Sequence, residues 1–173
     1  RGEGSREARN VPARKIRRYL PEFFPVEISF TRLRVYLECP WKYKLHFTQG
    51  QKIAATPASS LGISLHRALE SFYSGGGDDL ESLLECFDRQ WLSEGYPDAD
   101  VQARWQAKGR RILSRYFESA SSRRTKIFGV EKEFIYSLGR HTVRGMIDRI
   151  DLHPDGRREL IDYKLGVGAR LDK

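Results

Sequence analysis

From residue 29 to residue 120 the apolar positions recur three and four apart, and from residue 126 onward they recur every second position. The first spacing is that of amphipathic helices and the second that of strands. SFTRLRVYLECPWKYKLHF (29–47) predicts a helix capped near Ser29 or Thr31, with Leu33, Tyr36 and Leu37 on one face. Pro40 should break or kink it. Residues 48–58 read as a loop, and SSLGISLHRALESFY (59–73) as a second helix capped by Ser59 or Ser60. After the turn SGGGDD, DDLESLLECFDRQWLSEG and VQARWQAKGRRILSRYFESA give two more helices. Three strands follow: KIFGVEKEFIYSL, HTVRGMIDRIDLH and RELIDYKL. Ahead of all this, PEFFPVEISF is punctuated by Pro21 and Pro25 and reads as extended. Helices followed by an antiparallel meander predict an α+β fold, or a mixed sheet with helices packed beside it.

Composition narrows the class. The 173 residues suit one domain with a real core. No apolar run approaches ~18 residues and no signal-peptide pattern is present, so an intracellular, cytoplasmic protein is expected, with no membrane partner. Two cysteines, Cys39 and Cys86, are too few for a disulfide scaffold or a four-cysteine metal site. Of the formal net charge of +8, residues 1–20 hold +5 (seven Arg or Lys against Glu3 and Glu7), leaving +3 for the rest. Residues 1–26 therefore read as a basic tail or linker ahead of a folded body at 27–173. Such a tail is either a solvated arm or a nucleic-acid arm that gains affinity by releasing counterions. The first residue is Arg rather than Met, and the chain reads as a piece of something longer.

The chemistry concentrates in the last two strands. With Pro154-Asp155-Gly156 as a three-residue hairpin loop, proline takes an αR position and glycine the αL position that such loops require. His153 then pairs with Arg157, Asp148 falls opposite Asp162, and Lys164 shares the face of Asp162. Two carboxylates so close repel unless a cation lies between them. Lysine alone could serve, as a structural ion-pair cluster. A divalent metal held by oxygens is the other answer, with lysine placed to orient or help deprotonate a water.

GMIDRIDLHPDGRRELIDYKLG resembles the core of RecB-type nucleases in the PD-(D/E)XK superfamily. Three further segments resemble that family in order: SFTRLRVYLECPWKYKLHF its first helix with a C-P step, LGISLHRALESFY its histidine helix, and VEKEFIYSL its E-x-x-F strand. Together they cover residues 28–166. The resemblance implies a restriction-endonuclease-like mixed central sheet with flanking helices, and a metal-dependent DNA nuclease using Mg²⁺ or Mn²⁺. Exonuclease action in DNA repair or recombination, beside a helicase subunit or fused helicase domain and near the nucleoid, goes with it. By position, Asp148, Asp162, His66 and the main-chain carbonyl of Tyr163 become metal ligands, and Lys164 the catalytic lysine. Glu131 becomes a second-rank catalytic candidate; it and Glu133 share a strand face. Without the family, His66 would read as a packed histidine beside Leu65, Leu69 and Phe72. Cys39 matches the first ligand of an iron–sulfur cluster found in some relatives, and without three further cysteines no cluster is expected from this chain alone. The family's Q-x-x-x-Y helix is not supplied after Lys173, so the domain is expected to lack its C-terminal helix. The rival expectation is a non-catalytic nuclease-like DNA-binding or scaffold module of a helicase complex.

Arg32, Arg34, Trp41, Lys42 and Lys44, with Tyr43 among them, are the nucleic-acid candidates, since aromatics among basic residues can stack bases. A second basic set, Lys108, Arg110, Arg111 and Arg115, lines one helix. Trp41, Trp91 and Trp105 are expected chiefly in the core.

Overall fold

A computed structural model describes residues 26–120 and 125–164. The expected basic tail, and everything after Lys164, lie outside the described residues.

Ser29 starts the first helix, α1 (Phe30–Glu38), by accepting a hydrogen bond from the Arg32 N–H at 3.2 Å. The helix stops at Cys39, which is extended, as the residue before a proline should be. The Cys39 thiol in turn caps the short α2 (Pro40–Tyr43), accepting from the Lys42 N–H at 3.4 Å. A π-helical turn, Lys44–Thr48, follows. The expected apolar face of α1 is corrected here: Leu33, Tyr36 and Leu37 are exposed, and Val35 is the buried residue. Among the described residues the helix packs chiefly on α2, and that stripe meets no larger surface there.

The histidine helix, α3 (Pro57–Ser74), begins earlier than the expected serine caps. Thr56 and Ser59 form a reciprocal capping box, with Pro57 in the first turn where its missing N–H costs nothing. Its buried stripe of Leu61, Leu65, Ala68, Leu69 and Phe72 packs on α4 (Leu80–Arg89) and α5 (Ala99–Ala120). Leu83, Phe87, Leu113 and Tyr116 complete the core from those two helices. Ile161 and Tyr163 join it from the sheet side.

The sheet has four strands among the described residues: β1 (Glu27–Ile28), β2 (Lys126–Leu138), β3 (His141–Leu152) and β4 (Arg158–Ile161). β3 is central. β2 runs antiparallel along its whole length, β1 pairs parallel at Thr142 and Val143, and β4 pairs antiparallel at Arg149–Leu152. β1 and β4 thus share one edge of β3 at opposite ends, and the parallel pairing of β1 makes the sheet mixed. The hairpin loop is the predicted one: the His153 N–H donates to the Arg157 carbonyl at 2.8 Å, and Gly156 has φ 86°. The last strand is shorter than the expected 158–165. Its ladder ends at Ile161, because the main chain of Tyr163 turns to side chains instead of a neighbouring strand.

Candidate metal centre

Three elements converge on one point. α3 brings His66, β2 brings Glu131, and β3 brings Asp148; one ligand atom from each lies within 4.8 Å of the others. β3 carries Asp148 to a position 8 % exposed, and the Tyr163 N–H donates to its Oδ2 at 2.6 Å. The Tyr163 carbonyl lies 2.9 Å from His66 Nε2. A carbonyl only accepts, so Nε2 carries the proton, and in the neutral ring Nδ1 presents a lone pair. That Nδ1 lies 3.7 Å from Asp148 Oδ2. Lone pairs from an imidazole and two carboxylates therefore face one another.

Glu131 registers the strain of this arrangement. Burial, then the charges of Asp148 and Glu70, hold its carboxyl above the ordinary glutamate range, with His66 acting in the opposite sense. Its backbone is at φ 45°, in the left-handed region that a bulky residue avoids. Two carboxylates and an imidazole held this close form a donor set that suits a small divalent cation. The residues present fit such an ion.

Asp162 and Lys164 stand apart from this group. Register continued past Ile161 would set Asp162 opposite Asp148, but the ladder has already ended. The Lys164 Nζ donates to Asp162 Oδ1 at 2.9 Å, with both side chains about three-fifths exposed. Lys164 also lies over the Phe30 ring, 5.4 Å from its centre. An exposed pair of this kind contributes only about 0.2–1 kcal/mol. The expected metal ligand Asp162 thus lies on Lys164, and Glu131, expected as a second-rank catalytic residue, is the carboxylate that stands with His66 and Asp148. The E-x-x-F motif is the signal, but the left-handed turn that aims Glu131 inward leaves no mark in a strand pattern.

The basic and aromatic candidates lie together on the α1–α2 segment. Trp41 is 62 % exposed, against the expectation of a core position, with the Lys44 ammonium 5.1 Å from its ring. The Arg32 guanidinium covers Phe47 and Arg34 is exposed, whereas Lys42 pairs with Glu38 one turn earlier. Trp91 and Trp105 do pack against the core. Cys39 caps a helix end, and Cys86 is buried. In the second basic set, Arg110 is tied to Asp88 and Lys108 lies over Trp105.

A family model of the PD-(D/E)XK nuclease superfamily matches residues 27–171, and the chain belongs to that superfamily. The α+β fold is accordingly of the restriction-endonuclease type. The chain is also 27 % identical over 157 residues to a subunit of the ATP-dependent helicase/deoxyribonuclease of Streptococcus uberis. That match covers 83 % of this chain and 14 % of the relative, so the chain spans about a seventh of that protein's length. No helix among the described residues is long and apolar enough to cross a membrane.

Proposed function

We propose that this chain is a metal-dependent deoxyribonuclease domain that hydrolyses phosphodiester bonds in DNA. The observation that carries the reading is the convergence of His66, Glu131 and Asp148 on one point, in a chain of a nuclease superfamily. These three side chains would hold one Mg²⁺ or Mn²⁺, with the Tyr163 carbonyl holding the far nitrogen of the His66 ring. When bound, the ion supplies Lewis acidity toward a phosphate oxygen and lowers the pKa of a water. Asp162 is the further ligand in this reading. Its pairing with Lys164 is weak enough to be exchanged for a cation at small cost. Lys164, once released, stabilises negative charge developing on the phosphate and orients the attacking water. Arg32, Arg34, Trp41, Lys42 and Lys44 form the DNA-contacting segment, with exposed Trp41 as a stacking surface. The relative's name joins a helicase to a deoxyribonuclease; action beside a helicase, as an exonuclease in repair or recombination, is the cellular setting of this reading.

Cleavage of labelled single- and double-stranded DNA, with Mg²⁺, Mn²⁺ or excess EDTA, tests the reading. Metal-dependent cleavage is expected, with Asp162→Asn and Lys164→Ala each lowering the rate by about a hundredfold or more while DNA binding persists. Wild-type rates in both variants, or full activity in EDTA, would overturn the assigned site. DNA binding without cleavage under any metal would favour the scaffold reading.

A further inference from the structure

A buried polar chain runs from the core to Tyr163, and neither the hydrophobic packing nor the metal ligands account for it. Arg149 and Asp151, two apart on β3, are 4 % and 0 % exposed. Arg149 forks onto Asp151, Nε to Oδ1 at 2.5 Å and Nη2 to Oδ2 at 2.6 Å, and the Thr125 hydroxyl adds a bond to Oδ2 at 2.7 Å. The remaining arm of the guanidinium, Nη1, donates to the Tyr116 hydroxyl at 2.9 Å. The Tyr116 oxygen also lies 2.6 Å from that of Tyr73 and 3.1 Å from that of Tyr163. A phenol oxygen accepts twice and donates once. With Arg149 donating to it, Tyr116 accepts from one tyrosine and donates to the other, and its capacity is full.

A buried ion pair is weak evidence for stability, because well-packed apolar residues often serve as well. This pair has a specific terminus. Tyr163 lies two residues beyond the end of the β4 ladder, so no strand pairing fixes its main chain. Yet both its main-chain groups are used at the metal centre, the N–H on Asp148 and the carbonyl on His66. Its anchored ring supplies what the ladder does not: the hydroxyl is tied to Tyr116, and the ring meets Tyr116 edge-on at 5.6 Å.

We propose that Arg149 and Tyr116 are positioning residues, and that the Arg149–Tyr116–Tyr163 chain fixes the Tyr163 main chain and, through it, Asp148 and His66. The inference rests on the metal reading above. Outer partners that orient metal ligands typically change affinity by about 10–100-fold when removed. The test is Mn²⁺ titration of the full chain, followed by electron paramagnetic resonance, together with thermal unfolding in EDTA. Tyr116→Phe keeps the ring and removes the hydroxyl. Its Mn²⁺ affinity should fall by about tenfold or more. Tyr73→Phe, which removes a hydroxyl bonded to Tyr116 but not to Tyr163, should change affinity by less than about threefold and serves as the control for general loosening of the core. Should Tyr116→Phe fail to fold, Tyr163→Phe removes the same hydrogen bond from the other end and is read identically. Unchanged Mn²⁺ affinity in a folded Tyr116→Phe protein, even with a lowered unfolding temperature, would overturn the proposal. An equal loss in Tyr73→Phe would do the same. A wild-type chain with no saturable Mn²⁺ binding would instead overturn the metal reading itself, and this inference with it.

Discussion

Glu131 is held in a backbone conformation that its side chain disfavours and among charges that repel it. Strain of this kind persists where the surroundings over-determine a residue, commonly at a functional site. The fold favours the protonated form, so the contribution to stability is full below the unfolded glutamate pKa and lost as pH rises through the raised folded value. Glu131→Gln should therefore unfold at a higher temperature than wild type in EDTA at neutral pH, with the difference shrinking toward about pH 4. The same variant should gain less stability from added Mn²⁺. A pH-independent difference in unfolding temperature would contradict the assigned environment. At this scale Asp148, Lys164 and His66 can be singled out from sequence: the D-R-I-D and D-Y-K spacings and the G-x-x-L-H helix point to them. The pairing of Lys164 with Asp162 is open to sequence too, since they share a face, but the inward turn at Glu131 and the parting of Asp162 from Asp148 are not, since they depend on one backbone angle and on where β4 stops.

The helices around the site hold it by close packing, and Gly109 shows how tightly. It is buried in α5, and a Cβ there would lie 2.3 Å from the Phe87 ring and 2.8 Å from Leu61. Phe87 is fully buried, so its ring has little room to give. Alanine favours a helix by up to about 1 kcal/mol over glycine, but overpacking costs about 1–3 kcal/mol. Gly109→Ala should thus destabilise by about 1–2 kcal/mol in urea unfolding; a stabilised variant would show that α3, α4 and α5 are less closely packed. Most elements are readable because their periods are strong: β2 matches KIFGVEKEFIYSL residue for residue, and the Pro154–Gly156 loop fixes the hairpin register. The start of α3 escapes the pattern because Thr56-Pro57 outcompetes the serines that follow as a cap. The outward face of α1 escapes it because, among the described residues, no surface lies opposite that apolar stripe.

Across the whole molecule, charge and shape divide the work. The formal +5 of residues 1–20 precedes a domain whose basic aromatic segment already exposes Trp41, Arg34 and Lys44. If the tail contacts phosphates, deleting residues 1–20 should weaken DNA binding most at low salt and flatten the slope of log affinity against log salt. An unchanged slope would make it a linker. The antiparallel meander of β2, β3 and β4 follows from the order of elements, but the parallel pairing of Glu27 and Ile28 with β3 that makes the sheet mixed does not, since a two-residue strand carries almost no periodic signal.

The central claim is that His66, Glu131 and Asp148 hold one divalent cation. Anomalous diffraction from crystals soaked in Mn²⁺ tests it most directly. The account predicts a single strong peak among those three side chains, with ligand atoms at about 2.0–2.6 Å, which weakens or vanishes in Asp148→Asn. A peak elsewhere, or none at saturating Mn²⁺, would contradict it.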